Sequence, residues 1–331
     1  MKTHPIDIRE NAIQALNPKI LAILLKDKTT KKNIIWATDD YASLGSDYCF
    51  EHEITIKSIT GTNGAIIRPR IEKSKKEQSA RSKEKAEVFT PSWVCNKQNN
   101  LVDDTWLGYK NAFNFETDNG WITNDEKITF PNATGKTWQD YVKAIRLEIS
   151  CGEAPYLTSR YDTVTGEEIP VKDRIGLLDR KLRVVSENTN SELEWVQWAI
   201  KAVQSIYGYD WQGDNILLAR ENILYTFAEH YEYKFTIPAI KEYLIKIAKI
   251  VAWNIWQMDG LKFVVPNSCH TEADAQLNIF GVVTNACPGC ATNDHSKHNG
   301  IYCRIYDWSH NGSVEFYSFI KKGAKNNGSK I

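Results

Sequence analysis

Ile145-Arg-Leu-Glu-Ile-Ser-Cys-Gly-Glu-Ala-Pro-Tyr-Leu157 sets the architecture expected of this chain. Ile145, Leu147 and Ile149 alternate with Arg146 and Glu148, the pattern of a strand. The strand then breaks into a turn of small residues, Ser150-Cys-Gly-Glu-Ala154. A strand ending in such a turn is where an α/β sheet seats a ligand, at the carboxyl edge of its strands. Small residues there let backbone amides approach the ligand closely.

Downstream, Ser205-Ile-Tyr-Gly-Tyr-Asp210-Trp211 reads as a second short strand with an acid at its tip. A helical pattern follows from Asn215 to Phe227, with Leu217, Leu218, Ala219, Ile223, Leu224 and Phe227 at helical spacing. In nucleoside-binding sheets an acid at the tip of the second strand accepts from both ribose hydroxyls. Asp210 lies far beyond the distance of about 20 residues that a minimal dinucleotide unit uses. An insertion between the strands is therefore expected, and a dinucleotide enzyme is not. Asp179 is the alternative ribose ligand, with residues 174–178 as the second strand.

Four stretches together resemble the N6-adenine DNA methyltransferases of restriction–modification systems, in the group that opens with a Phe-Thr-Pro motif. Glu87-Val-Phe-Thr-Pro-Ser-Trp-Val94 is similar to that opening motif. Glu148-Ile-Ser-Cys-Gly152 is similar to the family's Asp-Pro-Ala-Cys-Gly loop, and Tyr207-Gly-Tyr-Asp210-Trp211 to its Tyr-Gly-Ile-Asp/Glu-Ile. Asn254-Ile-Trp-Gln-Met-Asp259-Gly-Leu261 resembles its Asn-Ile-x-x-Gly-Asp-x-Leu. The resemblance implies a partial Rossmann-like class I methyltransferase sheet and a pocket for S-adenosyl-L-methionine. The residues it places there are Phe89, Thr90, Pro91, Glu148, Cys151, Gly152, Asp210, Trp211, Asp259 and Leu261.

The chain departs from the family in two places. Glu153-Ala154-Pro155 stands where the family has Ser/Ala-Gly-x. The sequence also contains no Asn-Pro-Pro-Tyr/Phe or Asp-Pro-Pro-Tyr/Phe, the family's catalytic motif, so no catalytic residue is assigned. The resemblance thus implies the cofactor-binding subunit of a split, site-specific adenine-N6 methyltransferase. A partner subunit would supply the missing strand and the target-recognition domain, and double-stranded DNA would be the substrate. An excised piece of a longer enzyme carries the same expectation. The alternative is a non-catalytic, zinc-containing subunit that binds DNA or senses the cofactor.

Composition is that of an ordinary globular protein, with 42% hydrophobic and 25% charged residues. Forty-one Lys plus Arg balance forty-one Asp plus Glu, so any DNA contact has to come from a local patch. Arg68 to Lys85 is such a patch, with eight basic and three acidic residues. Arg68, Arg70, Lys73, Lys75 and Lys76 are its candidate phosphate contacts, against the alternative of a solvated helix face. The same two readings apply to Arg180, Lys181 and Arg183. No secretory leader and no apolar run of about 18 residues is present, which leads to an expectation of a cytoplasmic protein without a membrane span.

Seven cysteines are an odd number, which points to a metal rather than a disulfide framework. Cys287-Pro-Gly-Cys290 is a C-x2-C knuckle, and Cys269 and Cys303 flank it. These four thiols suit a tetrahedral structural zinc, with His295 and His298 as alternative fourth ligands. A deaminase centre would need H-x-E before the knuckle, which is absent.

Three regions are expected: an N-terminal helical and β region at 1–86, the cofactor-binding part at 87–262, and a cysteine-rich segment with a C-terminal hairpin at 263–331. Helices are expected over 5–25, 93–106, 138–144, 192–203 and 237–253, and strands over 33–38, 53–59, 301–308 and 313–319. A hairpin is expected around Thr165-Gly166, and a mobile tail from Lys321.

Overall fold

The computed structural model describes residues 6–85, 90–131, 135–278 and 281–320. The chain is mixed α/β, with one three-stranded parallel sheet at its centre and small antiparallel pairs around it. Strands β3 (Arg146–Ile149), β4 (Ile206–Asp210) and β5 (Ile255–Gln257) lie in that order, with β4 in the middle. Parallel strands need long crossovers. Helices α7 (Leu177–Asn188) and α8 (Glu192–Gln204) separate β3 from β4, and α9 (Gly213–Phe235) and α10 (Lys241–Asn254) separate β4 from β5. Every residue of β4 and β5 is buried, as expected for strands of a parallel sheet.

Register assigns the two faces of the sheet. Leu147 pairs with Tyr207, Ile149 with Tyr209, and Tyr209 with Trp256, so these side chains share one face. Over β4 and β5 that face is covered by the hairpin of β8 (Arg304–Asp307) and β9 (Gly312–Glu315), through Ile305, Phe316 and the adjacent Cys303. Over β3 nothing described covers it: Ile145, Leu147 and Ile149 are 69%, 46% and 65% exposed. The outer edge of β3 also pairs with no other described strand.

The opposite face carries the main core, which runs from Ile8 to Ile255. Helices α1 (Glu10–Leu16) and α2 (Pro18–Leu24) belong to it, and Asn17 caps α2 by accepting the Lys19 N–H at 2.9 Å. Arg220 of α9 is fully buried and donates to the carbonyls of Leu24, Lys26, Ala252 and Ile255. One cation thus closes the carboxyl ends of two helices, where it complements their dipoles. Gly213 opens α9 where a Cβ would come 2.0 Å from the Ile35 carbonyl oxygen, so no larger residue fits.

Several expectations need correction. Residues 33–38 form only isolated bridges, Lys26 to Asn33 and Ile35 to Glu53. The Gln257 side chain holds them against β5 by bonding Ile35 N–H and carbonyl at 2.9 and 2.8 Å. Within 53–59 the capping box of Thr55 and Ser58 starts the helix α3 (Ile56–Ile59) instead of a strand. Around Gly166 the expected hairpin is present in minimal form, as the antiparallel bridge of Tyr161 and Glu168 flanked by bonds from Asp162 N–H to the Glu167 carbonyl at 2.8 Å and from Ile169 N–H to the Arg160 carbonyl at 2.9 Å. Arg180 and Lys181 are buried. Arg180 bonds Asp103, Asn96 and Asn100 on α5 (Ser92–Leu107), so the inward face of that helix is polar. The hairpin of β1 (Asn114–Thr117) and β2 (Gly120–Thr123) was not anticipated. The tail from Lys321 lies outside the described residues.

Candidate functional site

Beyond Ile149 the chain turns on three residues in the left-handed region, Ser150, Gly152 and Ala154, with φ of 50°, 51° and 64°. Cys151 N–H donates to the Tyr209 carbonyl at 2.8 Å, and Ala154 N–H to the Cys151 carbonyl at 2.7 Å. The Cys151 thiol sits over Gly208, where a Cβ would lie 3.2 Å from the sulfur. Glycine at the centre of β4 is what lets the turn fold back onto the sheet. Burial pushes the Cys151 thiol well above its ordinary value, which makes it a packing group and not a nucleophile.

Asp210 joins the tips of the two strands. Its Oδ2 accepts Gly152 N–H at 3.0 Å, and its Oδ1 accepts Gln212 N–H at 3.0 Å and Asn215 Nδ2 at 3.4 Å. Burial holds the Asp210 carboxyl above its ordinary value, and these donors offset only part of the rise. Glu148 accepts Tyr156 and Leu157 N–H at 3.3 and 3.2 Å, which fastens the chain after the turn. Burial pushes Glu148 up to about 8 against those bonds, and the charge of Asp210 adds to the rise.

A pocket of about 680 Å³ opens over these groups, within the range of small-molecule sites. Thr90, Gln98, Asn99 and Val102 wall it from the α5 side, and Trp211 and Asn215 from the α9 side. Its described lining contains two carboxylates, Glu148 and Asp210, and no Lys or Arg. Such a pocket suits a ligand that carries positive charge and hydroxyl donors.

Of the residues expected here, Thr90, Glu148, Cys151, Gly152, Asp210 and Trp211 do line the pocket. Phe89 lies outside the described residues. Pro91 precedes α5 and faces a separate groove. Asp259 is not in the pocket: β5 ends at Gln257, and the Asp259 carboxylate folds onto its own turn, accepting Leu261 and Lys262 N–H at 3.0 and 3.1 Å. It lines an adjoining cavity of about 400 Å³, and Trp211 forms a wall of both. Leu261 points outward, 79% exposed. Asp179 is excluded as the ribose ligand, because it stands in the first turn of α7, accepts Ser159 N–H at 2.9 Å and pairs with His230. Gln98, Asn99 and Asn215 went unanticipated; polar residues at helical spacing in Asn96-Lys-Gln-Asn-Asn100 were the available signal.

A second centre lies at the far wall of the adjoining cavity. Cys269, Cys287, Cys290 and His298 converge, with their ligand atoms within 4.8 Å of one another, and could hold a metal ion. His298 Nδ1 is 3.6, 3.6 and 3.7 Å from the sulfurs of Cys269, Cys287 and Cys290. Cys303 is not the fourth ligand: it is buried beneath the β8–β9 hairpin and donates to the Gln257 carbonyl at 3.4 Å. His295 packs its ring on Phe263 instead, 5.4 Å between centroids.

The basic stretch is largely engaged within the protein. Lys73 is buried with Arg81 against Asp214, at 3.1 and 2.5 Å, and so is removed from the candidate DNA contacts. Arg70 bonds Ser82 at 2.7 Å, and Arg68 lies 3.5 Å from Glu77. Lys75 and Lys76, at the start of α4 (Lys75–Lys85), are exposed. No described helix is long and apolar enough to cross a membrane. Comparisons with protein families, curated proteins and solved structures return no match to this chain.

Proposed function

We propose that the pocket at the tips of β3 and β4 binds S-adenosyl-L-methionine, and that the chain is the cofactor-binding subunit of a split DNA adenine-N6 methyltransferase. The observation that carries this reading is Asp210 accepting Gly152 N–H at 3.0 Å, which gathers the turn and the acid of adjacent parallel strands at one 680 Å³ hollow. In this reading Asp210 accepts from a ribose hydroxyl and Trp211 meets the base. Glu148 faces the cationic end, and Thr90 closes the pocket from above. When bound, the cofactor supplies a methyl group on a cationic sulfur, and the paired carboxylates suit that charge. The chemistry asks for alignment of donor and acceptor more than for acid–base help.

The acceptor side is assigned to a partner. The free edge of β3 and its exposed Ile145, Leu147 and Ile149 leave room for a strand and an apolar cover beside the pocket. The proposal places the partner's Asn-Pro-Pro-Tyr/Phe strand there, with double-stranded DNA as substrate and Lys75 and Lys76 as backbone contacts. The test is methyl transfer from labelled cofactor to adenine in duplex DNA, using this chain mixed with the product of the adjacent reading frame. Binding of cofactor by the complex without transfer favours the non-catalytic, cofactor-sensing alternative. No binding of cofactor, by the chain alone or by the mixture, refutes the proposal.

The metal is assigned as zinc. Tetrahedral zinc has bonds of about 2.3 Å to sulfur and 2.0–2.1 Å to nitrogen, which sets nitrogen about 3.6 Å from each sulfur. The three separations of His298 Nδ1 from the cysteine sulfurs, 3.6 to 3.7 Å, match that spacing. Four protein ligands close the site, so its role is structural.

A further inference from the structure

A continuous set of hydrogen bonds links the metal-binding cluster to the tip of β4. Asn299 N–H donates to Cys287 Sγ at 3.3 Å, and His298 N–H to the Tyr302 hydroxyl at 3.1 Å. That hydroxyl donates to the His295 carbonyl at 2.6 Å, which fastens Tyr302 to the ligand loop. Residues 301–303 then run beside 263–265: Val265 N–H donates to Ile301 at 2.8 Å, and Cys303 N–H to Phe263 at 3.0 Å. The 263–265 segment closes on Asp259, whose N–H donates to the Val264 carbonyl at 2.8 Å and whose carbonyl accepts Phe263 N–H at 2.7 Å. Next in line, Met258 N–H reaches the Asp210 carbonyl at 2.9 Å.

The turn in the middle of this path has bonds of its own to Asp259, but it contains one residue in a strained conformation. Phe263 has φ of 63°, a left-handed conformation that a bulky residue keeps only where its surroundings enforce it. Its ring is wedged between His295 and Tyr317, at 5.4 and 5.6 Å, and His295 belongs to the loop that the ion would draw together. Asp259, Lys262, Cys269, Cys287 and Cys290 share the walls of the 400 Å³ cavity with Trp211.

We infer that the ion at Cys269, Cys287, Cys290 and His298 is a latch for the 259–265 turn, so that metal occupancy sets how tightly a nucleoside is held at Trp211. The effect on affinity rests on the cofactor reading above; the latch itself does not. Without the ion, His295 and Tyr302 lose their anchorage, Phe263 leaves its left-handed conformation, and the wall formed by Asp259 opens. The remote ion then acts by positioning, with no contact to the ligand.

The test compares the full chain as purified, stripped with a strong chelator, and reloaded with zinc. Elemental analysis, amide hydrogen exchange and equilibrium binding of S-adenosylhomocysteine are the readouts. One ion per chain is expected. Stripping should raise exchange at the Asp259, Phe263 and Val265 amides at least tenfold, leave the α9 amides protected, and weaken binding at least tenfold, with all effects reversed by zinc. His298→Cys, which preserves four ligands, should keep the turn protected, whereas His298→Ala should not. Unchanged exchange at the turn overturns the latch, as does equal loss of protection through α9, which would make the ion a support for the whole fold. A metal content well below one ion per chain also overturns it. If the loaded chain binds no nucleoside, the cofactor reading fails and the exchange data alone decide the latch.

Discussion

Replacing Asp210 with Asn separates the bonds its carboxylate makes within the protein from the ligand contact proposed for it. A carboxylate offers about four acceptor sites. Gln212 N–H, Asn215 Nδ2 and Gly152 N–H occupy three of them, at 3.0, 3.4 and 3.0 Å, which leaves the free lone pair on Oδ2 for a ligand hydroxyl. Asn keeps one carbonyl oxygen and turns a donor toward one of the two backbone N–H groups. One buried N–H then loses its acceptor, at a cost of about 1–3 kcal/mol in stability. The charge-assisted bond to the ligand is lost as well, about 1.5–3 kcal/mol, or roughly 10- to 150-fold in Kd. Calorimetric titration of wild type and Asp210→Asn with S-adenosylhomocysteine and with its 2′,3′-dideoxy analogue isolates the second term. The dideoxy ligand should bind wild type weakly and lose little further affinity on Asp210→Asn. Equal binding of both ligands to wild type, or an Asp210→Asn chain that still favours the diol, would remove Asp210 from ribose recognition.

Other outcomes follow from the buried charges. Because Glu148 titrates at about 8, binding a cationic ligand should release a proton near neutral pH; affinity should rise as pH climbs toward 8, and titrations in buffers of different ionisation enthalpy would detect the proton. Burial holds Glu10 and Glu221 above the ordinary carboxylate range; the charge of Asp7, itself at about 6, adds to the rise of both, and that of Glu10 to the rise of Glu221. Their folded values exceed the unfolded ones, so the stability they contribute is complete below about pH 4 and is lost as pH rises through the folded values. Glu10→Gln should therefore raise the melting temperature more at pH 8 than at pH 5. Asp214 neutralises buried Lys73 and Arg81 and also accepts from Tyr41 at 2.7 Å. Asp214→Ala removes the carboxylate from buried Lys73, while Arg81 keeps Asp40 at 3.2 Å, and should cost about 3–5 kcal/mol by denaturant unfolding, whereas a cost under about 1 kcal/mol would show that α4 simply lifts away.

Much of the centre of the molecule was legible because its signals are local. Alternation in 145–149, the short strand ending in an acid at 205–210 and the helical spacing after Asn215 each lie within one element, and β3, β4 and α9 form there. The errors arise where distant residues decide. Arg180 and Lys181 read as surface charge until the polar inward face of α5 and the carbonyls of Val142 and Ala144 are brought to them. Spacing alone does not rank Cys303 against His298; the β8–β9 hairpin does, by drawing Cys303 into its own apolar cluster. Asp259 follows the expected motif in sequence, but the early end of β5 rotates it into the neighbouring cavity. Alternation in 53–59 loses to a local cap, the case where a short-range bond outweighs a short-range pattern.

The flank of β3 that no described residue covers has a consequence for how the polypeptide behaves on its own. A strand whose outer edge pairs with no described neighbour, and which is lined with isoleucine and leucine, can accept an extended chain that meets it, including another copy of itself. Solubility on expression alone should therefore fall with concentration, and Ile149→Lys should restore it by placing a gatekeeper charge on that flank. If the strand proposed above docks on that flank, the same lysine would exclude it, so solubility of the chain alone and assembly with that strand would pull this one residue in opposite directions.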